Sequence, residues 1–548
     1  MTAVGAAGHR EGTAIRRAAL LTALLTAGGT ALGFLRDLVM AHRFGASSGT
    51  DAFLVAWTIP ETVSPILIED AMALLMVPLA TRLLREPDGI RPLVATVLPR
   101  LVTVLLVVTA GLLLAAPLLV KVLAPGLDDP GPAVRCVRLT ALTVLAFGVA
   151  GFMSATLRAH HRFGPPAAIY AAYNAGILVM IAALAGPLGI TSAALGVACG
   201  GLLMIVVQLP AFVRCLRATA PAPAARADPA DHEERPERPE PPERSGLAAL
   251  TFAAAVPIVL YTVTRQAQVL IERFLGSALA AGSISHLNYA QKVGQVPMVA
   301  SLLLVTVTFP RLARASAGGD VDGVRRRVET DLVVVSAIVL YAVACMAAFA
   351  PLIIELLFQH GRFTAADTSR TALVLRVYVL GVWGQAMMGV AARAFFAGSR
   401  PVWHPARAMA AGLAVTGIAG STLVAAAGTT ALAAANAAGI TVAALLLLAA
   451  MRRHVAPVSA RAVGGDLGTL LLAACLAGAA GVAVTGAAPA DPGLLGPGVP
   501  PLPRLLAGVA AVTAVYAVVL VLAAHARTRA TGPLGPLTRI RHQEEART

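Results

Sequence analysis

Residues 101–120 read LVTVLLVVTAGLLLAAPLLV, twenty positions without a charge, bounded by Arg100 and Lys121. A helix rising about 1.5 Å per residue needs roughly that many residues to cross a hydrocarbon layer about 30 Å thick. Lipid offers no water to the backbone N–H and C=O groups, so such a run must bond them internally, as a helix. The run also contains Pro117-Leu118-Leu119-Val120, and a close echo, Pro351-Leu352-Ile353-Ile354, stands 234 residues further on. One reading gives the fold class, and the echo gives its internal order.

Working outward, with Gly, Pro and charge clusters as breaks, fourteen apolar runs of span length emerge. They lie near residues 17–41, 51–83, 94–124, 134–158, 165–187, 190–214, 247–275, 283–312, 331–358, 370–397, 403–427, 429–451, 465–487 and 503–525. Two further markers repeat. Val77-Pro78-Leu79-Ala80 corresponds to Phe309-Pro310-Arg311-Leu312-Ala313, and Arg158 to Arg393, at spacings of 232 and 235. Three matches in order at nearly one spacing argue for a duplicated unit. Six spans per unit is even, so both copies insert with the same orientation.

The expected fold is an all-α polytopic membrane protein of about fourteen transmembrane helices. Two six-helix pseudo-repeat lobes are followed by two C-terminal helices. The divisions are an N-lobe over 1–217, a cytoplasmic linker over 218–245, a C-lobe over 246–455, and the last two spans with a basic cytoplasmic tail over 456–548. The linker (ATAPAPAARADPADHEERPERPEPPERS) is Pro-, Glu- and Arg-rich and holds too little apolar surface to fold.

Composition agrees. Of 548 residues, 57% are hydrophobic and only 13% are charged, against about 25% charged in soluble domains. That excludes a cytosolic enzyme, a secreted disulfide scaffold and a free nucleic-acid-binding module. The net charge of +15 fits cytoplasmic loops rather than a nucleic-acid partner. Arg82, Arg85, Arg91, Arg158, Arg162, Arg311, Arg314, Arg325 to Arg327, Arg393, Arg400, Arg407, Arg452, Arg453 and Arg461 fall on one side, and only Arg43, Arg135, Arg362 and Arg370 on the other. Both termini are therefore expected in the cytoplasm, with the first apolar run retained as a helix. The five cysteines are scattered in or beside apolar runs, with no metal-ligand spacing and no disulfide framework.

A charge within a span costs at least about 2.5–3.5 kcal/mol on insertion scales, so it faces a cavity or a partner. Arg36 and Asp37 lie in the first span after Gly28, Gly29 and Gly33. Asp51, Glu61, Glu69 and Asp70 lie in the second. The seventh holds Arg265, Gln266, Gln268, Glu272 and Arg273, and the eighth holds Lys292, one of only two lysines. Arg265, Gln268 and Glu272 are spaced to share one helix face. These helices hold equivalent places in the two halves and would line one cleft. Internal pairing is the plainer account, with Arg36 against Asp51 or Glu69 and Arg273 against Glu272. A cationic cleft at Arg36 and Lys292 would instead suit an anion such as phosphate. The sequence lacks GxxxxGK[ST], HExxH and GxSxG, so no enzyme activity, metal or cofactor is expected. His286 reads as a helix-end residue.

Three stretches resemble the MurJ (MviN) family of lipid II flippases, in the MOP exporter superfamily. They are Gly33-Phe34-Leu35-Arg36-Asp37 through Thr50-Asp51-Ala52-Phe53, Glu272-Arg273 through Gly282 to Lys292, and Phe358-Gln359-His360-Gly361-Arg362-Phe363-Thr364. The resemblance covers most of residues 20–455, and fourteen spans is the family's number. It implies that an undecaprenyl-pyrophosphate-linked peptidoglycan precursor moves from inner to outer leaflet by alternating access, with the headgroup in a cationic cavity and the last two helices beside the lipid tail. It implies Arg36, Asp37, Asp51, Glu69 and Lys292 as site residues, to which the charge reading adds Arg273. Asp37, Glu61, Asp70 and Glu272 are candidates for ion coupling. Expected partners are the lipid-linked anion, membrane lipid and cell-wall synthesis proteins, at the bacterial plasma membrane.

The chain departs from the family pattern at Thr30, where a basic residue is common. It departs again at Pro60-Glu61-Thr62-Val63-Ser64-Pro65, where an Arg-Arg pair is common, and at Ile68-Glu69-Asp70-Ala71. Cations are lost there and acids gained. A flippase for another polyprenyl-linked glycan, or an ion-coupled exporter like the superfamily's multidrug transporters, stays open at this stage.

Overall fold

The structure is a computed structural model, and it describes residues 2–83, 90–218, 244–298, 320–396, 402–486 and 499–531. Residues 219–243 of the expected linker, the repeat marker at 309–313, and Arg85, Arg311, Arg314 and Arg400 lie outside the described residues, as does the tail beyond Thr531, while Ala218 and Arg244-Ser245 at the linker's ends are helical.

The described residues form helices joined by short turns. In chain order they are α1 (Thr2–Phe44), α2 (Ser48–Ser64), α3 (Ala71–Leu83), α4 (Arg91–Leu123), α5 (Gly131–Ala159), α6 (Gly164–Leu188), α7 (Thr191–Ala218) and α8 (Arg244–Gly276). Then come α9 (Ser283–Gly294), α10 (Val321–Phe358), α11 (Ala365–Tyr378), α12 (Val382–Phe396), α13 (His404–His454), α14 (Ala460–Thr485) and α15 (Pro501–Thr531). Their ends follow local chemistry. Ser47 caps α2 by accepting from the Thr50 N–H, and Thr364 and Asp367 form a reciprocal capping box at α11.

The described residues contain eleven helical stretches long and apolar enough to cross a membrane, and one of them, Ala365–Phe396, joins α11 to α12. Fourteen spans reduce to that number for local reasons. His404–His454 is one element of 51 residues, which as a straight helix would be about 76 Å long, far more than a bilayer needs. It folds back at Gly428, whose φ of 54° and ψ of −130° are non-helical. The Thr416 hydroxyl reaches the Ala435 carbonyl at 3.4 Å across that hairpin. α8 occupies the place of the seventh expected span but is not among the eleven, and α9 opens the eighth, whose remainder falls outside the described residues.

The second span is also broken. Pro65–Asp70 forms one π-helical turn between α2 and α3. Proline at its start removes a donor from the helical ladder. Gly151 of α5 packs directly on the Leu67 carbonyl of that turn, a contact that a Cβ would prevent.

Each half is built round its own buried cluster, and the clusters interlock, Ala41 of the first half joining the second and Ile284 of the second joining the first. Phe53, Phe147, Ile169, Ile177, Val197 and Met204 are buried together in the first, and Leu332, Val335, Phe358, Leu375, Met387 and Leu447 in the second. α14 and α15 pack on α10 through Leu340, Phe349, Ala473, Ala477, Val512 and Tyr516, outside both cores. Large apolar side chains point outward, such as Leu114 at 83% exposure and Val107 at 68%. Such a surface would drive association in water and is compatible with lipid.

Candidate functional site

The turns between helices meet at one end of the bundle, and there the halves are bonded. The Asp51 carboxylate on α2 accepts from the Gly282 N–H at 2.7 Å, from the Ser285 N–H at 2.8 Å and from the Ser285 hydroxyl at 2.6 Å. These donors form the N-terminus of α9, where unsatisfied N–H groups and the helix dipole favour an anion. Gly282 permits the approach, because its φ of 89° is left-handed and a Cβ there would lie 2.6 Å from the Ala46 carbonyl oxygen. Two further bonds cross at this end, from the Arg362 N–H to His42 O at 2.9 Å and from the Gly126 N–H to the Ser277 hydroxyl at 3.2 Å.

Arg36 and Asp37 do not reach across. Arg36 donates twice to Asp37 Oδ1, at 2.8 and 3.0 Å, and once to Asn174 Oδ1 at 3.2 Å. Its guanidinium lies 4.2 Å from the centre of the Trp57 ring, a cation–π contact. Asn174 in turn donates to the Gly29 carbonyl at 3.1 Å. Arg36 thus ties α1 to α2 and α6 within one half. This corrects the expected pairing with Asp51 or Glu69. Asp51 is held by α9, and Glu69 is exposed and accepts from the Tyr170 hydroxyl at 2.6 Å. Gly29 and Gly33 work as close-approach positions, with Tyr170 and Asn174 against them.

Lys292 on α9 faces the other half. Its ammonium is 3.5 Å from Glu61 Oε1 on α2, with side-chain exposures of 22% and 18%. Gln266 of α8 donates to the Glu61 carbonyl at 2.7 Å. These two bonds also join the halves, ten residues along α2 from Asp51. Asp70 ends the π-helical turn, and its side chain lies outside the described residues.

On α8, Glu272 and Arg273 diverge instead of pairing. Consecutive helical side chains point about 100° apart. Arg273, 2% exposed, donates to Asn288 Oδ1 at 3.2 Å and weakly to the Ile284 carbonyl at 3.4 Å. It braces α9 from within its own half. Glu272 is buried and accepts from Asn436 of α13. Gln268 is buried beside it, while Arg265 is exposed, so the three do not share one environment. His286 is no loose helix end. It is buried, and its Nδ1 is bonded to the Thr371 hydroxyl at 2.9 Å.

Sequence reading missed Tyr170, Asn174 and Asn436. Each is a polar group inside a long apolar run. An intramembrane polar side chain usually has a partner, and that was the available signal. Trp57 gave none, because an aromatic residue in a membrane helix reads as packing.

The family model described as lipid II flippase MurJ matches residues 40–490. A relative named lipid II flippase MurJ, from Burkholderia cenocepacia, is 25% identical over 449 residues, which is 79% of this chain and 84% of the relative. A probable lipid II flippase MurJ from Buchnera aphidicola is 24% identical over 376 residues, covering 67% and 70% of the two chains. Among solved structures, a lipid II flippase MurJ in an inward closed conformation superposes with a TM-score of 0.70 at 17% identity, covering 92% of this chain and 98% of that one. An inward-facing multidrug transporter of the MATE family, in the MOP superfamily, scores 0.55 at 12% identity over 81% of this chain and 95% of that one. At these identities both structures speak to the fold alone.

Proposed function

Because this chain belongs to the MurJ family of lipid II flippases, we propose that it carries lipid II, an undecaprenyl-pyrophosphate-linked peptidoglycan precursor, from the inner to the outer leaflet. The observation that carries this reading is the meeting of two halves, bonded at one end through Asp51 and α9, with the partly exposed Lys292 of one half facing Glu61 of the other. Lys292 is the headgroup cation, because an ammonium offers three donors to phosphate oxygens. Arg36 and Arg273 shape the cleft from behind, as buried braces. Asp51 closes the outer end and opens when the halves rock.

The lobes that rock are 1–217 and 246–455, with both termini in the cytoplasm. The chain moves its substrate without breaking a bond, so it is no enzyme. Membrane potential or an ion gradient supplies the work, at about 2.3 kcal/mol per charge per 100 mV. Asp37, Glu61, Asp70 and Glu272 are the carboxylates available to couple it. Cell-wall synthesis proteins are the partners expected to consume the delivered precursor.

The test is rescue of a bacterium depleted of its only lipid II flippase, with expression and membrane insertion verified. Rescue by the native chain that disappears in Lys292→Ala and persists in Lys292→Arg supports the reading. Rescue unaffected by Lys292→Ala removes Lys292 from the site. Glu61, an acid set against Lys292, favours one second reading, a flippase for a different diphosphate-linked glycan. That reading predicts headgroup binding without rescue.

A further inference from the structure

Lys292 is not free. Glu61 Oε1 lies 3.5 Å from its ammonium, well beyond the 2.7–2.9 Å of a tight charge-assisted hydrogen bond. The other carboxylate oxygen, Glu61 Oε2, is buried with no hydrogen-bond partner among the described residues. The Arg36–Asp37 pair is unlike it, with two bonds of 2.8 and 3.0 Å and both side chains 8% exposed. One pair is built in. The other is loose and shared between the two halves.

α2 and α9 are equivalent helices of the repeat, opening at Ser48 and Ser283. Their facing residues therefore lie near the axis that relates the halves, where an anion bound between them would sit. We propose that Glu61 is an internal counter-ion that holds Lys292 across the two halves and is displaced by the diphosphate of the substrate. The proposal rests on the reading of Lys292 as the headgroup cation.

The chemistry is a competition for one ammonium. A carboxylate brings one negative charge, and a diphosphate brings more charge and more acceptor oxygens to the same three donors. Displacement breaks the Lys292–Glu61 tie and leaves the Gln266 bond to the Glu61 backbone as the remaining polar tie there among the described residues. Arrival of substrate thus loosens the halves at the cleft. An anion too weak to displace Glu61 leaves them tied, so the acid also selects for diphosphate over monophosphate.

The test measures binding of undecaprenyl diphosphate to the full chain in lipid nanodiscs, for the native protein, Glu61→Gln, Lys292→Gln and the double variant. Thermal unfolding of each is recorded as a check on folding. Glu61→Gln should bind about fivefold tighter, the worth of one partly exposed ion pair. Lys292→Gln should bind about tenfold weaker or worse. The double variant should match Lys292→Gln, because with no ammonium there is nothing for Glu61 to occupy.

If Glu61→Gln still tightens binding in the Lys292→Gln background, Glu61 merely repels anions and the proposal is overturned. Unchanged or weaker binding by Glu61→Gln, beside a weakened Lys292→Gln, overturns it while sparing Lys292. Unchanged binding by Lys292→Gln overturns the headgroup reading itself. Should Glu61→Gln fold poorly, Glu61→Asp serves instead. It retains the charge but is one methylene too short to reach, and the same tightening is expected.

Discussion

Asp51 and Ser285 join the two halves of the molecule through both donors of the serine, its N–H at 2.8 Å and its hydroxyl at 2.6 Å, on one carboxylate oxygen. The Gly282 N–H takes the other oxygen at 2.7 Å. A charged acceptor with three donors at a helix N-terminus is a strong contact, and it is one that alternating access has to break.

Asp51→Ala removes all three bonds and leaves the α9 donors buried. The closed end should lose about 2–4 kcal/mol relative to its open form, since hydrogen bonds to charged groups are worth about 1.5–3 kcal/mol each and do not add fully. A cysteine at Ala46, in a cysteine-free background, should become markedly more reactive to a membrane-impermeant maleimide. Unchanged labelling would mean that Asp51 does not hold this end shut.

Arg36 is expected to act on stability before it acts on substrate. Its removal leaves Asp37 buried and without its partner, a change that typically costs about 3–5 kcal/mol. Arg36→Ala should lower the thermal unfolding midpoint clearly, and Arg36→Lys should recover only part of it, because an ammonium cannot reproduce the forked contacts to Asp37 and Asn174. A variant with native unfolding and abolished transport would reverse this assignment and make Arg36 a ligand.

The helices were legible in the sequence because lipid imposes one rule, long uncharged runs, and residues 101–120 obey it without ambiguity. The intramembrane charges were legible as a group for the same reason. Their partners were not. Arg36 folds back on its own neighbour Asp37, a rotamer choice that spacing does not encode. Asp51 is met largely by backbone N–H groups 231 and 234 positions away, and a backbone donor has no letter in the sequence. Glu61 and Lys292 meet because the repeat places their helices face to face, which three matched markers imply only in outline.

Gly428 should be intolerant of any side chain. Its φ of 54° with ψ of −130° is nearly closed to residues with a Cβ. Nothing lies within 4 Å of where that Cβ would be, so the cost is purely one of backbone conformation. Gly428→Ala should destabilise the protein by about 1–3 kcal/mol. Gly111→Ala, at a helical position equally free of neighbours, should be neutral or slightly stabilising. Equal unfolding midpoints for the two variants would argue against the hairpin at Gly428.

The acidic, proline-rich connection between α7 and α8 should be shortened without loss of transport. Deleting residues 226–237 removes twelve of the positions between Ala218 and Arg244 and leaves thirteen. Thirteen extended residues still reach about 43 Å. If the segment only tethers two moving halves, rescue of a flippase-depleted strain should stay within about twofold of the native chain, because closure entropy changes slowly with loop length. A scaffold that recruits cell-wall proteins through these charges predicts the opposite. Rescue would vanish while membrane insertion and binding of undecaprenyl diphosphate stayed intact, and that combination would move the function of this segment from linkage to recruitment.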